Sequence, residues 1–128
     1  MASYANETKA AALNGITALL NSGQFRLLTA ADAELANLGF NASAFGSATV
    51  ASPSVATTAG SPPLVPDTSV TAGTIAKFEL RTNAGLSRIS GSVGVGPGFD
   101  IQVTSATIPG TATSVACPGG LTLSLNIS

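Results

Sequence analysis

Three stretches alternate apolar and polar residues with a period of two: TIAKFELRT (74–82), FDIQVTS (99–105) and LTLSLNIS (121–128). Successive side chains of a strand point to opposite faces, so this pattern suits strands with one buried face. In the first stretch Ala76, Phe78 and Leu80 are expected inward, and Lys77, Glu79 and Arg81 outward. In the second, Phe99, Ile101 and Val103 face in, and Asp100, Gln102 and Thr104 face out. In the third, Leu121, Leu123, Leu125 and Ile127 share one face. NAG (83–85) reads as a hairpin turn, with Gly85 available for positive φ. The return strand LSRISGSVG (86–94) then sends Ile89, Val93 and the following Val95 inward, and Arg88 outward near Glu79 or its neighbours. VGVGPG (93–98) is a glycine-rich corner rather than a phosphate-binding loop, because neither a lysine nor a helical pattern follows.

Upstream, residues 4–21 carry a helical pattern, with Ala12, Leu13, Ile16, Leu19 and Leu20 on one stripe. Ser3 or Asn6 can cap its start, Glu7 suits the first turn and Gly23 the end. Gly15, Ile16 and Thr17 weaken it, so it must pack on its own domain or on a neighbour. QFRLLT (24–29) predicts a short strand. Residues 29–40 fit two descriptions: Thr29 and Asp32 resemble a capping box before two helical turns, while ELANLGF reads equally as a strand. Residues 41–74 are rich in Ala, Ser, Thr, Pro and Gly. They predict at most one edge strand, broken at Pro53, and a loop around 52–72, since Pro62 and Pro63 cannot enter a central strand. Together these elements predict a single domain over residues 1–128. Its class is all-β: an antiparallel sandwich or jelly-roll-like module (24–128) with one N-terminal helix.

Charge is scarce. Five basic and six acidic residues make up 9% of the 128, against about 25% in ordinary domains, and three of them fall within KFELR (77–81). A net charge of −1 favours neither nucleic acid nor an anionic membrane. So weakly charged a surface fits a protein covered by partners, or simply one clothed in hydroxyls. The interrupted apolar run AAALNGITALL lacks the features of a signal peptide, and no stretch is long enough for a membrane helix. That predicts a soluble protein made inside the cell, in which the three N-x-S/T triplets starting at Asn6, Asn41 and Asn126 carry no glycan.

Chemistry is equally sparse. There is no His, which excludes Ser-His and Cys-His catalysis. A lone Cys117 offers neither a disulfide nor a metal site, and reads as a small buried or loop residue. Asp32 and Glu34, the closest acidic pair, fit a solvated turn. No Trp and one Tyr argue against a sugar-stacking or single-strand nucleic-acid platform. No catalytic, cofactor-binding or metal residues are therefore assigned, no cofactor or small-molecule substrate is expected, and an enzyme is the last choice.

The order of the blocks carries more than any one of them. A helix leads into QFRLL, then AELANLGFNASAFGSAT, AGTIAKFELRTNAGLSRISGSVG, GFDIQVTSATIPG and a final strand. This succession resembles a group of small virion structural proteins of tailed bacteriophages, of the capsid decoration or cement type. The matching residues are Ala33, Glu34, Leu35, Phe40, Ala44, Phe45 and Gly46, then Gly73, Thr74, Phe78, Gly85, Gly91, Val93, Gly94, Asp100 and Ile101. The likeness covers nearly the whole chain, although the link between QFRLL and AEL is short and the SPPLVP insert is individual.

The resemblance implies a non-enzymatic protein on the exterior of the capsid, made in the bacterial cytoplasm. It would bind the major capsid protein and other copies of itself, as a dimer or trimer, with no nucleic-acid or membrane partner. Contact candidates are Tyr4 and Lys9 in the N-terminal segment and Lys77, Glu79, Arg81 and Arg88 on the hairpin. Alternatives are a tail, collar or head–tail connector component, or a carbohydrate or host-attachment sandwich. On these readings the Lys77–Glu79–Arg81 row is either a partner contact or a charged guard against edge pairing; the guard is slightly preferred.

Overall fold

The computed structural model describes residues 3–125; Ile127 and Asn126 lie outside them. Among those residues one helix, α1 (Asn6–Ala18), precedes ten strands. They are β1 (Gln24–Leu28), β2 (Glu34–Phe40), β3 (Ser54–Thr57), β4 (Leu64–Val65), β5 (Gly73–Thr74), β6 (Lys77–Arg81), β7 (Ser87–Gly94), β8 (Ile101–Gln102), β9 (Thr107–Ile108) and β10 (Thr122–Leu125). Six form one sheet in the order β4-β2-β1-β6-β7-β8. Pairing is antiparallel throughout except between β7 and β8, which run parallel. Two antiparallel ribbons, β3–β10 and β5–β9, complete a mainly β, sandwich-like fold.

Alternation builds the core. Phe25 and Leu27 of β1 face Leu38 and Ala36 on β2, and Leu80 and Phe78 on β6. All six are buried, and the Phe25 and Phe78 rings meet edge-on with centroids 6.2 Å apart. Ile108 of β9 joins the same cluster, and Leu123 of β10 packs against it. Each fully buried Leu or Phe here contributes about 1.5–3 kcal/mol relative to exposure. Ile75 rather than Ala76 enters the core ahead of β6.

The helix is shorter than expected, and its buried stripe is turned. Lys9, Ala10, Leu13 and Thr17 are buried, while Ala12 and Leu19 are exposed. Ala10 and Leu13 pack on Ala48 and Ala56, so α1 rests on the β3–β10 ribbon of its own domain. Its apolar side therefore gives no reason to invoke a second molecule. Ala5 occupies the N-cap without a side-chain hydrogen bond, in place of Ser3 or Asn6. Two asparagines tether the helix side to the loop that follows β2: Asn14 Oδ1 accepts the Ala48 N–H at 2.8 Å, and Asn21 Oδ1 the Ala44 N–H at 2.9 Å.

Residues 29–33 form a hairpin turn and 34–40 a strand, so the helical alternative fails. The Thr29 hydroxyl does accept an N–H, from Ala33 at 3.1 Å, but this closes the β1–β2 turn, with Asp32 at φ 68°. β4 falls within the region expected to be a loop; it is an edge strand of two residues directly after Pro62 and Pro63, a position where proline is tolerated. The hairpin turn at 83–85 forms as read, with Gly85 at φ 83°. Val95 and Phe99 do not turn inward; they are 59% and 40% exposed.

Candidate functional site

The outer face of the six-stranded sheet holds most of the chain's charge. On β6 Lys77, Glu79 and Arg81 are partly exposed and alternate with buried Phe78 and Leu80, as the period of two requires. The β1–β6 register sets Arg26 directly beside Glu79. Arg26 Nη1 donates to Glu79 Oε1 at 2.6 Å, and Arg26 Nε donates to Glu34 Oε1, also at 2.6 Å. Arg81 Nε lies 3.0 Å from the same Glu79 oxygen. Its N–H is not aimed at that oxygen and, though buried, finds no hydrogen-bond acceptor, so the contact is electrostatic only. A chain of alternating sign, Glu34–Arg26–Glu79–Arg81, thus crosses three strands. Beside it Lys77 Nζ donates to Asp32 Oδ1 at 2.8 Å across an exposed pair worth little energy. The hydrogen bond to Glu34 is the largest influence on Arg26 and holds its guanidinium above the ordinary arginine range, against an opposing effect of burial.

These six groups, three of each sign, cancel to zero net charge. They include six of the chain's eleven charged residues. The strand topology corrects one expectation: β6 lies between β1 and β7, not at an edge, so its charges guard no edge. A groove of about 560 Å³ runs over this region, lined by Asp32, Lys77, Glu79, Ser90 and Ser92 among others.

The other contact candidates are dispersed. Tyr4 is 47% exposed just ahead of α1. Lys9 is not a surface contact: it is 7% exposed, and its Nζ donates to Ser52 Oγ at 2.8 Å. Arg88 is exposed but does not reach Glu79. A bulge sets Leu80 opposite Ile89 and Arg81 opposite Ser87, leaving Arg88 unmatched. Sequence reasoning missed Arg26, the centre of the network. Its signal was present in QFRLL, where Gln24 and Arg26 alternate with Phe25 and Leu27.

On the opposite, inner face an apolar cavity of about 300 Å³ separates the main sheet from the segment 101–121. Phe25, Val93, Ile101, Val115 and Cys117 contribute to its wall, and no charged residue lines it. It is a gap in the core where the covering layer consists of very short strands. Burial pushes the Cys117 thiol upward, which makes it a poor nucleophile at neutral pH. Alkylation of the folded protein at pH 7.5 is therefore expected to run several-fold slower than alkylation of the urea-unfolded chain. Because the folded thiol holds its proton more tightly than the unfolded one, this site contributes stability that is full below about pH 8.5 and declines as pH rises through the folded pKa. Denaturant midpoints at neutral and alkaline pH, compared between the protein and Cys117→Ala, check the sign.

Among the described residues no group of three or more His, Cys, Asp or Glu side chains stands together to hold a metal ion. No family model, curated protein or solved structure matches the chain.

Proposed function

We propose that this chain is a non-enzymatic virion structural protein, a head decoration or cement protein that binds the major capsid protein lattice on the outside of the shell. The collinear order of sequence blocks motivates the reading. The observation that carries it is the outer face of the main sheet, an extended surface whose charges stand in pairs of opposite sign. Such a surface presents ordered polar groups while exerting little long-range field, so it can lie against a broad protein surface of either sign. Weak contacts of this kind suffice when many copies bind a repeating lattice.

The test is copy number and position in a density map of intact particles. Many copies spread over the shell, each touching several capsid subunits through the β1–β6 face, are expected. A few copies at one vertex or along the tail would replace this reading with a connector or tail role. Absence from particles would overturn both. In a co-sedimentation assay with shells stripped of the protein, Lys77→Ala combined with Glu79→Ala is expected to weaken binding, and Leu19→Ala to leave it unchanged.

A further inference from the structure

The inner cavity has a firm floor. Phe25 and Leu27 of β1, Leu38 of β2 and Val93 of β7 are buried side chains on strands flanked on both sides in the main sheet. Its roof is pinned to the rest of the fold at three places. β9 pairs with β5. Asp67 and Val115 each donate an N–H to the other's carbonyl at 2.9 Å, and Leu121 O accepts the Thr58 N–H at 2.9 Å. Between these pins the roof carries small residues, Ala112, Ser114 and Ala116, over the cavity. Backbone hydrogen bonds hold the two layers in place, and side chains too short to meet leave the space open.

The apolar side chains around it are incompletely covered. Ile101, Val103, Val115 and Leu121 pack against the core cluster yet stay only half-buried. All four line the cavity, where a guest would remove more of their surface from water. The hydroxyl residues that line it, Ser105, Thr107 and Ser114, are exposed and mark its mouth. No charged residue lines it, so an ionised guest would give up its hydration for no countercharge. A dry apolar cavity of about 150 Å³ accepts benzene. The volume of about 300 Å³ here leaves room for two fused rings and lies at the lower end of the range of ligand pockets.

We infer that this cavity binds a compact, uncharged and mainly apolar molecule the size of a two-ring aromatic. Its rings lie against Phe25 and Val93, and any single polar group sits at the hydroxyls of the mouth. The site is on the inner face and is independent of the capsid reading, which uses the outer one. Indole is the probe, because the chain has no Trp and the fluorescence of the added ring is read without tryptophan background. Titration with the protein is expected to shift indole emission to the blue with saturation. Saturating indole should raise the urea midpoint and slow the alkylation of Cys117, which lines the cavity, by iodoacetamide. Ala112→Leu fills the space and is expected to abolish the emission shift with an unchanged circular dichroism spectrum. If that variant does not fold, protection of Cys117 in the parent protein decides the matter. Indole-3-acetate, the same rings with a carboxylate, is expected to bind more weakly. The inference is overturned by the absence of a saturable shift, by a shift that leaves Cys117 unprotected, by a folded Ala112→Leu protein that binds indole as the parent does, or by indole-3-acetate binding equally well.

Discussion

Replacing Leu80 by alanine is expected to lower the unfolding free energy by about 3–4 kcal/mol. Leu80 is fully buried in the middle of β6, with Phe25 opposite on β1 and Ile89 opposite on β7. Removing its isobutyl group loses the transfer free energy and leaves a void. The paired backbones on either side are fixed by their ladders and cannot close in to fill it. Urea unfolding should show a lower midpoint with an unchanged slope. Leu19→Ala is the control, because Leu19 is 48% exposed on α1 and surface truncations of this kind stay within about 0.5 kcal/mol. A Leu80→Ala protein within about 0.5 kcal/mol of the parent, as surface sites are, would mean that β6 is not a central strand.

That centrality was only half legible in the sequence. Alternation in KFELR identified which side chains face in and which face out, because it depends only on the pleat. It could not give the strand's neighbours. Those depend on β1, whose partner across the charged face is Arg26, more than fifty positions from Glu79. A charged row looks the same in sequence whether it protects an edge or lies in the middle of a sheet paired with charges from the next strand. Long-range register, not local pattern, separates the two.

Elsewhere local chemistry was read correctly but served a different structure. Thr29 does use its hydroxyl as an acceptor, yet for a hairpin turn rather than a helix cap. ELANLGF buries Leu35 and Ala36 in succession because the β1–β2 register shifts at Leu27/Leu28, which blurs the period of two. On α1 the stripe turned because the surface beneath it is built from Ala48 and Ala56, which accept the small Ala10, while the Lys9 ammonium finds Ser52. Hydrophobicity alone favours Ile16 and Leu19; shape and one hydrogen bond decide otherwise. Phe99 was expected inward by alternation, but the glycine corner resets the strand and lays its ring over Gly94.

Gly23→Ala is expected to destabilise the protein by about 2–4 kcal/mol, for a reason unrelated to its place after a helix. Its φ is not in the left-handed region, so the cost is not conformational. A Cβ there would run into the carbonyl oxygen of Arg81 and lie 2.8 Å from that of Leu20. Both obstacles are backbone, and neither can rotate away. Gly23 also donates its N–H to Leu20 O at 2.8 Å, and its own carbonyl accepts the Phe40 N–H at 3.0 Å. Moving it to relieve the clash would loosen the helix exit from both β2 and β6. The same substitution at Gly15 meets open space in mid-helix and is expected to stabilise by about 0.5–1 kcal/mol. Thermal or urea unfolding of the two variants should therefore shift in opposite directions. Shifts of the same sign would mean that the chain leaving α1 does not lie against the end of β6, and that the helix is held to the sandwich by the Asn14, Asn21 and Lys9 contacts alone.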